Sequence, residues 1–323
     1  MKHYNIPIFV PHFGCPHDCS FCNQKKITGQ STGVTPEDVR RIISEHLKTI
    51  SGDIQTAFFG GSFTGIDESE QISLLEAANE FYDSGEISGI RISTRPDYIS
   101  EEILDRMKKY HVTAIELGVQ SMDNSVLAAN NRGHSTADVI KAAELIKKYD
   151  IELGLQMMTG LFRSTPDKDF ETGVKIAELS PATVRIYPTV VLDGTHLASL
   201  YKSGEYVPYE LDATVELCSR LYSLFTENGI RIIRMGLQST DIICEKGNIL
   251  GGAYHSSFGE LVLSRLWRNK IEEYVCGHIG EKKLTMKVPA RYVSQAVGNK
   301  RENIKYIKEK YGTDIKITGE KFE

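Results

Sequence analysis

Short apolar runs alternate with longer amphipathic stretches over most of the chain. The short runs are rich in β-branched residues, which is typical of strands, whereas the longer stretches have helical spacing. Strands are predicted over residues 6–10, 55–59, 89–93, 114–119, 152–157 and 184–190, with a seventh over 230–235. Strands joined by helical crossovers form a parallel sheet. The pattern therefore predicts an α/β fold, specifically a partial TIM-type (β/α) barrel.

Two of the predicted helices have clear start signals. Thr35 supplies a capping hydroxyl, Pro36 occupies the first helical position, and Asp38 adds a carboxylate at the third. Ser135 and Asp138 repeat the arrangement a hundred residues later. The second of these helices has an apolar stripe that we expect to be buried: Val139, Ile140, Ala143 and Ile146.

A different order of elements is predicted near the end of the sequence. The stretch LTMKVPARYVSQAVGNKRENIKYIKEKYGTDIKI, residues 284–317, predicts strand, helix, glycine turn, helix and strand. Gly312 is expected to end the second helix, because glycine readily adopts the left-handed conformation found there. We therefore predict two domains, a partial barrel over residues 1–250 and a small α+β domain over residues 251–323.

The charge of the chain divides along a similar line. The 323 residues have a net charge of −5, yet residues 281–323 carry +5 and the other 280 residues carry −10. A basic segment beside an acidic one indicates that the basic segment has its own, polyanionic partner. A lysine-rich helix that only faces solvent has the same composition, so charge alone leaves both interpretations open.

Composition excludes several classes of protein. The sequence contains no run of about 18 apolar residues, the length needed to span a membrane, and its N-terminus lacks the apolar core of a signal peptide. A cytoplasmic location without a membrane partner is therefore expected. Six cysteines are too few for a disulfide scaffold in a chain of this length. Cys218 is predicted to be buried in a helix face, and the pattern indicates no role for Cys244 or Cys276.

The other three cysteines lie in one short loop, GCPHDCSFC, after the first predicted strand. A structural zinc site takes four ligands, and His12 or His17 could supply the fourth. A cubane iron–sulfur cluster normally takes four cysteines. With only Cys15, Cys19 and Cys22, one iron would remain open to a substrate. The gaps of three and two residues favour the cluster, with zinc as the alternative.

Further motifs resemble a known family. The pattern Cys-x3-Cys-x2-Cys is similar to the signature of the radical S-adenosylmethionine (SAM) superfamily. The segments FFGGSF, STRPDYI, IELGVQS, NNRGH, RIYPTVVLDGTHL and YKSGEY resemble, in the same order, the radical domain of the catalytic subunit of Elongator and its bacterial and archaeal relatives. Those enzymes modify the wobble uridine of transfer RNA. The resemblance covers residues 6–240.

The resemblance implies two cofactors, a [4Fe–4S] cluster and SAM. It implies that Cys15, Cys19 and Cys22 ligate the cluster. In the family, one electron from the cluster breaks the S–C5′ bond of SAM and gives a 5′-deoxyadenosyl radical that abstracts hydrogen. An electron donor such as flavodoxin or ferredoxin is therefore an expected partner.

The resemblance also implies which residues hold SAM. Phe21 matches the aromatic position near the adenine. Gly60 and Gly61 match the strand end that meets the methionine amino group, where a backbone carbonyl approaches a ligand because no side chain intervenes. Gln120 and Arg132 match positions that hold polar groups of the cofactor, and arginine suits a carboxylate.

One cofactor position departs from the family's pattern. Elongator-type proteins have an acidic residue before the Thr-Arg-Pro-Asp segment, where this chain has Ser93. A serine hydroxyl can still donate a hydrogen bond to the cofactor. Ser93 is therefore a predicted cofactor contact without the usual carboxylate.

The C-terminal segment indicates the class of substrate. It resembles a minimal KH domain, in which a loop of two glycines flanking two residues clamps the RNA backbone. Gly298 begins that loop, Arg301 replaces the second glycine, and Lys300, Arg301 and Lys305 are predicted to contact RNA phosphate. A small helix pair that only caps the barrel is the structural alternative.

The predicted function is a radical SAM enzyme that modifies RNA, with transfer RNA as the expected substrate. The residues after 250 are too few for Elongator's acetyltransferase domain, so acetyl transfer is not expected. Two alternatives remain open. One is radical chemistry on a small molecule such as a porphyrin, as in the oxygen-independent coproporphyrinogen oxidases, and the other is a zinc-containing RNA-binding protein without catalysis.

Overall fold

A parallel sheet forms the centre of the computed structural model, which describes residues 3–10, 18–22, 33–237 and 247–320. The strands are β1 (His3–Val10), β2 (Asp53–Gly60), β3 (Gly89–Thr94), β4 (Val112–Gln120), β5 (Glu152–Thr159), β6 (Thr183–Pro188), β7 (Val190–Leu192), β8 (Arg231–Met235), β9 (Ile249–Gly252), β10 (Lys283–Pro289) and β11 (Asp314–Glu320). Seven of these described strands pair in the order β1-β2-β3-β4-β5-β6-β8, each parallel to its neighbour. The predicted α/β partial barrel is confirmed.

Helices connect the strands and cover the sheet. They are α1 (Pro36–Leu47), α2 (Glu68–Asp83), α3 (Glu101–Lys109), α4 (Asn124–Ala129), α5 (Thr136–Lys148), α6 (Pro166–Glu178), α7 (His196–Lys202), α8 (Leu211–Glu227), α9 (Phe258–Cys276), α10 (Val293–Val297) and α11 (Glu302–Tyr311). None of the helices in these described ranges has the length and apolarity needed to cross a membrane.

Both predicted helix starts are confirmed as capping boxes. Thr35 Oγ1 accepts a hydrogen bond from the Asp38 N–H at 3.2 Å, and the Asp38 carboxylate accepts one from the Thr35 N–H. The same reciprocal pair forms between Ser135 and Asp138 at the start of α5. The predicted apolar stripe of α5 was wrong at Ile140. This residue lies at the edge of the buried face and is 41% exposed.

The predicted strand over residues 184–190 is also wrong in one respect, since the structure breaks it in two. β6 ends at Pro188 beside β5, whereas Val190 already pairs antiparallel with Gly252 of β9. Proline has no N–H for a sheet ladder, so a change of pairing at this residue costs little. The β7–β9 ribbon therefore leaves the barrel sheet.

Helix α9 joins two hydrophobic cores. Phe258 and Val262, near its start, pack in the large core between the barrel sheet and its helices. Ile271 and Val275, near its end, pack in a second core with residues of the C-terminal unit: Leu284, Val288, Ala296, Ile307 and Ile315. The domain boundary at residue 250 stays a prediction.

The C-terminal unit has the predicted order of elements. β10 and β11 form a parallel two-stranded sheet, and α10, the loop at Gly298 and α11 lie between them in sequence. Gly312 ends α11 with φ 69°, in the left-handed region, as predicted. Asn303 is fully buried, and its side-chain amide donates to the carbonyl oxygens of Ser264 and Ala296, which ties α9, α10 and α11 together.

Candidate functional site

The carboxyl ends of the parallel strands surround a cavity of about 550 Å³. Barrels of this kind bind ligands at that end. The cavity is lined by all the predicted cofactor and metal residues that the structure describes: Cys19, Phe21, Cys22, Gly60, Gly61, Ser93, Gln120 and Arg132. Cys15 lies outside the described residues. Residues that are far apart in sequence are thus brought into one site.

The described part of the cysteine loop is held from two sides. Its turn is closed by a hydrogen bond from the Cys22 N–H to the Cys19 carbonyl oxygen at 3.0 Å. Ser20, which is fully buried, donates its hydroxyl to Asn130 Oδ1 at 2.6 Å, and its carbonyl oxygen accepts from the Leu197 N–H at 2.7 Å. The ends of α4 and α7 therefore fix Cys19 and Cys22 at the cavity wall.

Gly60 adopts a backbone conformation that the cavity edge requires. Its φ is +109°, and a Cβ atom there would lie 2.6 Å from the Val10 carbonyl oxygen. The same carbonyl accepts the Gly61 N–H at 3.1 Å, which joins the ends of β1 and β2. A side chain at position 60 would separate these strand ends. The fold therefore requires glycine at this position, and the absence of a side chain also leaves the backbone accessible to a ligand.

Arg132 connects the cysteine loop with the end of β4. Its Nη1 donates to Cys19 Sγ at 3.2 Å, and its Nη2 donates to the Gly118 carbonyl oxygen at 2.5 Å. Gln120 is 4% exposed, has φ 65°, and accepts a hydrogen bond from Gln156 Nε2 at 3.4 Å. A Cβ on Gly118 would approach both Gln120 and Arg132, so glycine leaves room for these two polar side chains.

Ser93 faces a carboxylate on the adjoining strand. Its register partner across the β3–β4 pairing is Glu116, and both residues line the cavity. Glu116 Oε2 accepts from Arg185 Nε at 2.5 Å, and Glu116 Oε1 accepts from Arg91 Nη1 at 3.2 Å. Position 93 therefore lacks the family's acidic side chain, whereas Glu116 on the adjoining strand supplies a carboxylate. That carboxylate is already bound by two guanidinium groups.

Sequence reasoning missed this buried ion network. Arg91 is 1% exposed and Glu116 is 4% exposed, and Arg91 also contacts Glu152 at 2.7 Å. Burial opposes the charged form of Arg185, but the charge and hydrogen bonds of Glu116 outweigh burial and raise the pKa of Arg185. A charged residue inside an otherwise apolar parallel strand, as in IRIST, IELGVQ and VRIYP, was the available signal.

His134 is buried beside two cavity arginines. Burial first, and then the charges of Arg132 and Arg95, lower the pKa of His134 to about 4. Nε2 lies 3.2 Å from the Val119 carbonyl oxygen, so the neutral ring carries its proton on Nε2. His134 is therefore a neutral hydrogen-bond donor at neutral pH.

The lining chemistry fits an anionic ligand and a thiolate-bound cluster. Arg132 Nε and Arg95 Nη1 are buried N–H donors that have no acceptor within the described ranges. Such donors are costly unless a ligand satisfies them. Together with the Cys19 and Cys22 sulfurs and the bare Gly60 backbone, they fit the iron–sulfur cluster and the carboxylate of SAM.

A second group of predicted residues lies on the C-terminal unit. Gly298 has φ 77°, and a Cβ there would lie 2.7 Å from the Glu302 side chain. Lys300 and Arg301 have φ 48° and 63°, so both non-glycine residues are left-handed. Both side chains are exposed, as is Lys305 one turn into α11. The loop therefore has the backbone that the predicted glycine pattern requires, with cations on its outer side.

Comparison with known families identifies the superfamily to which the chain belongs. The sequence matches the radical SAM superfamily over residues 9–172 and the radical SAM C-terminal domain over residues 181–268. The chain belongs to the radical SAM superfamily. The family's cofactors are a [4Fe–4S] cluster and SAM, which confirms the two predicted cofactors at the level of the family. Residues 283–323 match the KH domain, as the C-terminal segment predicted.

Relatives of this radical SAM protein include tRNA-modifying enzymes. It is 32% identical over 216 residues to the tRNA uridine(34) acetyltransferase of Methanocaldococcus jannaschii, which covers 65% of this chain and 38% of that protein. It is 28% identical over 303 residues to human Elongator complex protein 3, which covers 79% of this chain and 54% of that protein. The chain thus spans about half, or less, of these relatives.

A solved structure supports the same relationship. Archaeal Elp3 of Methanocaldococcus infernus, deleted at its N-terminus, superposes with a TM-score of 0.67 and 25% sequence identity. The superposition covers 83% of this chain and 63% of that chain. The predicted resemblance to the Elongator radical domain is confirmed.

Proposed function

We propose that this radical SAM protein modifies a nucleoside of transfer RNA. The observation that carries the proposal is one chain with a cysteine-lined cavity at the barrel mouth and a KH domain attached through α9. The tRNA uridine(34) acetyltransferases among its relatives support the choice of RNA. When bound, the cluster would supply the electron that cleaves SAM to methionine and a 5′-deoxyadenosyl radical, and an electron donor of the flavodoxin or ferredoxin class would reduce it.

The chain's own residues would hold and orient these groups. Cys15, Cys19 and Cys22 would ligate three irons. Arg132 and the backbone around Gly60 would hold the polar end of SAM, since buried N–H donors suit a carboxylate. These contacts would fix the reacting atoms in one geometry, which is the main contribution of protein to cofactor chemistry.

The cavity wall would also exclude water from the radical. Phe21, Met158, Val190 and Leu192 contribute apolar side chains to its lining. Water excluded from an active site cannot quench or hydrolyse a reactive intermediate. The Phe21 ring packs against the core of the β7 and α7 region, so its position beside the cysteines is fixed by the fold.

The KH domain would bring RNA to this mouth. Phosphate contacts position a nucleic acid without reading its sequence, and the exposed Lys300, Arg301 and Lys305 suit that role. We expect the protein to act in the cytoplasm, where transfer RNA is available.

The first test is production of 5′-deoxyadenosine by anaerobically reconstituted protein with SAM and a strong reductant. Cys19→Ala should abolish the product, because two cysteines do not hold the cluster in place. Cys276→Ala is the matched control, since Cys276 is exposed at the end of α9. A wild-type protein with a verified cluster that gives no product contradicts the radical mechanism. Product from the Cys19→Ala protein contradicts the ligand assignment.

The second test concerns the substrate. Nucleosides from total transfer RNA of cells with and without this protein are compared by mass spectrometry. Loss of one modified nucleoside, restored by wild type but not by Cys19→Ala, is the expected result. An unchanged set of nucleosides, from cells that express active protein, contradicts transfer RNA as the substrate and leaves a small molecule as the alternative.

A further inference from the structure

A second cavity lies on the loop that follows β5. Its volume is about 360 Å³, and within the described ranges it shares no lining residue with the cofactor cavity. Its walls include Phe162 and Arg163 from that loop, together with Glu205, Tyr206 and Val207 from the segment between α7 and α8. Because the loop leaves the carboxyl end of β5, the second cavity opens at the same end of the barrel as the first.

The cavity is preformed. Asp169 is 1% exposed and accepts hydrogen bonds from the Gly160 N–H at 2.7 Å and from Ser164 Oγ. Tyr206 donates its hydroxyl to the Gly160 carbonyl oxygen at 2.6 Å. Both ends of the loop over residues 160–164 are thus fixed by buried partners. The cavity walls require little ordering when a ligand binds.

Its chemistry is aromatic and cationic. The Phe162 and Tyr206 rings meet edge to face, with centroids 6.2 Å apart. The Arg163 guanidinium lies over the Phe162 ring at 5.4 Å, and Arg163 has φ 61°. A left-handed conformation is unfavourable for arginine, and such strain is concentrated at ligand sites. Val207 adds an aliphatic wall that is 78% exposed.

The second cavity is linked to the KH loop by a short chain of contacts. Tyr209, on its wall, precedes α8 by two residues. In the first turns of α8, Asp212 and Glu216 both accept hydrogen bonds from Arg265 of α9. The residue before Arg265 is Ser264, and a Cβ on Gly298 would lie 3.1 Å from its hydroxyl. A series of packed side chains on α8 and α9 therefore connects the wall of this cavity with the KH loop.

We propose that the second cavity binds one unpaired nucleobase of the RNA that the KH loop holds. The proposal rests on the proposed function and adds a base-recognition site to it. Single-stranded RNA is recognised by stacking bases on aromatic rings or arginine planes and by hydrogen bonds to their edges. Phe162 and Arg163 supply the stacking surfaces, and the Glu205 carboxylate at the rim accepts from an amino or imino group of the base.

The test uses a short RNA stem-loop that carries 2-aminopurine at each unpaired position in turn. Stacking on an aromatic ring quenches 2-aminopurine, so one position should lose fluorescence when wild-type protein binds. Removing the base at that position should weaken wild-type binding about tenfold. The same abasic RNA should bind Phe162→Leu and Arg163→Gly proteins no more weakly than intact RNA does.

The variants are chosen to keep the fold. Leucine at position 162 retains apolar packing, and glycine at position 163 fits the left-handed backbone without strain. Lys141→Ala is the control, because it removes an exposed cation from α5, outside both cavities, and should bind both RNAs as wild type does. Melting curves verify that each variant is folded.

The outcomes distinguish a failure of the base site from a failure of the proposed function. If wild type binds the stem-loop, depends on Lys300 and Arg301, yet is insensitive to every abasic substitution, the base site is overturned and the proposed function survives. If both variants retain the full abasic penalty, the base binds elsewhere and the site is again overturned. If wild type binds no transfer RNA or stem-loop, the proposed function fails and the base site fails with it.

Discussion

Arg132 Nη1 donates a hydrogen bond to the sulfur of Cys19, 113 residues away in sequence, at a distance of 3.2 Å. The same guanidinium binds the Gly118 carbonyl oxygen, so its plane is fixed between the cysteine loop and β4. Hydrogen bonds to cysteine sulfur and nearby positive charge both stabilise the more negative, reduced form of an iron–sulfur cluster. If Cys19 ligates the cluster as proposed, Arg132 would tune the cluster in addition to its proposed role in holding SAM.

The first prediction concerns that tuning. Arg132→Met should lower the equilibrium constant for one-electron reduction about tenfold, which corresponds to a shift of about 59 mV to lower potential. Arg132→Lys keeps the charge and should shift the potential less. The measurement is a redox titration of the reconstituted protein followed by electron paramagnetic resonance, without SAM. Equal potentials for wild type and Arg132→Met contradict a role for this contact in tuning.

Local features of the fold could be predicted from the sequence. The capping pairs at Thr35 and Ser135 join residues three positions apart, so a short window contains both partners. The Arg132–Cys19 contact needs the whole barrel to form first, and no local pattern indicates it. The same holds for Glu116 and Arg185, which are 69 residues apart and meet only across the sheet interior.

A second prediction concerns Gly60. Gly60→Ala should lower the free energy of unfolding by about 3 kcal/mol, because alanine combines left-handed strain with a clash against the Val10 carbonyl oxygen. Gly85→Ala is the matched control, since Gly85 also has a positive φ, +77°, but open space around it. That variant should lose only about 1 kcal/mol. The measurement is urea unfolding, and equal losses at the two positions contradict the clash.

A third prediction concerns pH and His134. Its pKa is lowered from 6.5 to about 4 in the folded protein, so between these values the unfolded chain binds a proton that the folded chain does not. The contribution of His134 to stability must then fall as pH falls from 6.5 to 4, by about 1.4 kcal/mol per pH unit. Above pH 7 both states are neutral at this position, and the effect vanishes.

Asp169 changes the stability of the protein in the opposite direction over part of the same pH range. Burial raises the pKa of Asp169 to about 6, so its protonation stabilises the folded protein as pH falls. The His134 effect is therefore measured as the difference between wild type and His134→Gln, both of which retain Asp169. Urea unfolding at several pH values should show wild type losing stability relative to His134→Gln below pH 6.5. A constant difference between pH 7 and pH 4 contradicts the lowered pKa of His134.

The predicted cofactor and metal residues that the structure describes all line the cavity, but the motifs did not indicate the residues that support them. Ser93 could be identified as a departure from the family, whereas its register partner Glu116 could not, because register is a property of the assembled sheet. Likewise, a loop that lacks the second glycine matches the KH sequence pattern less well. The structure shows that Arg301 adopts the glycine-like conformation nonetheless.

That observation gives the last prediction. Arg301→Gly and Arg301→Ala remove the same charge, so both should weaken RNA binding and reduce the slope of log affinity against log salt by about 0.7. Only glycine relieves the left-handed strain at φ 63°, so Arg301→Gly should be about 1 kcal/mol more stable to urea than Arg301→Ala. Equal stabilities would show that the loop backbone relaxes when the arginine is removed. An unchanged salt slope in both variants would show that Arg301 does not contact phosphate.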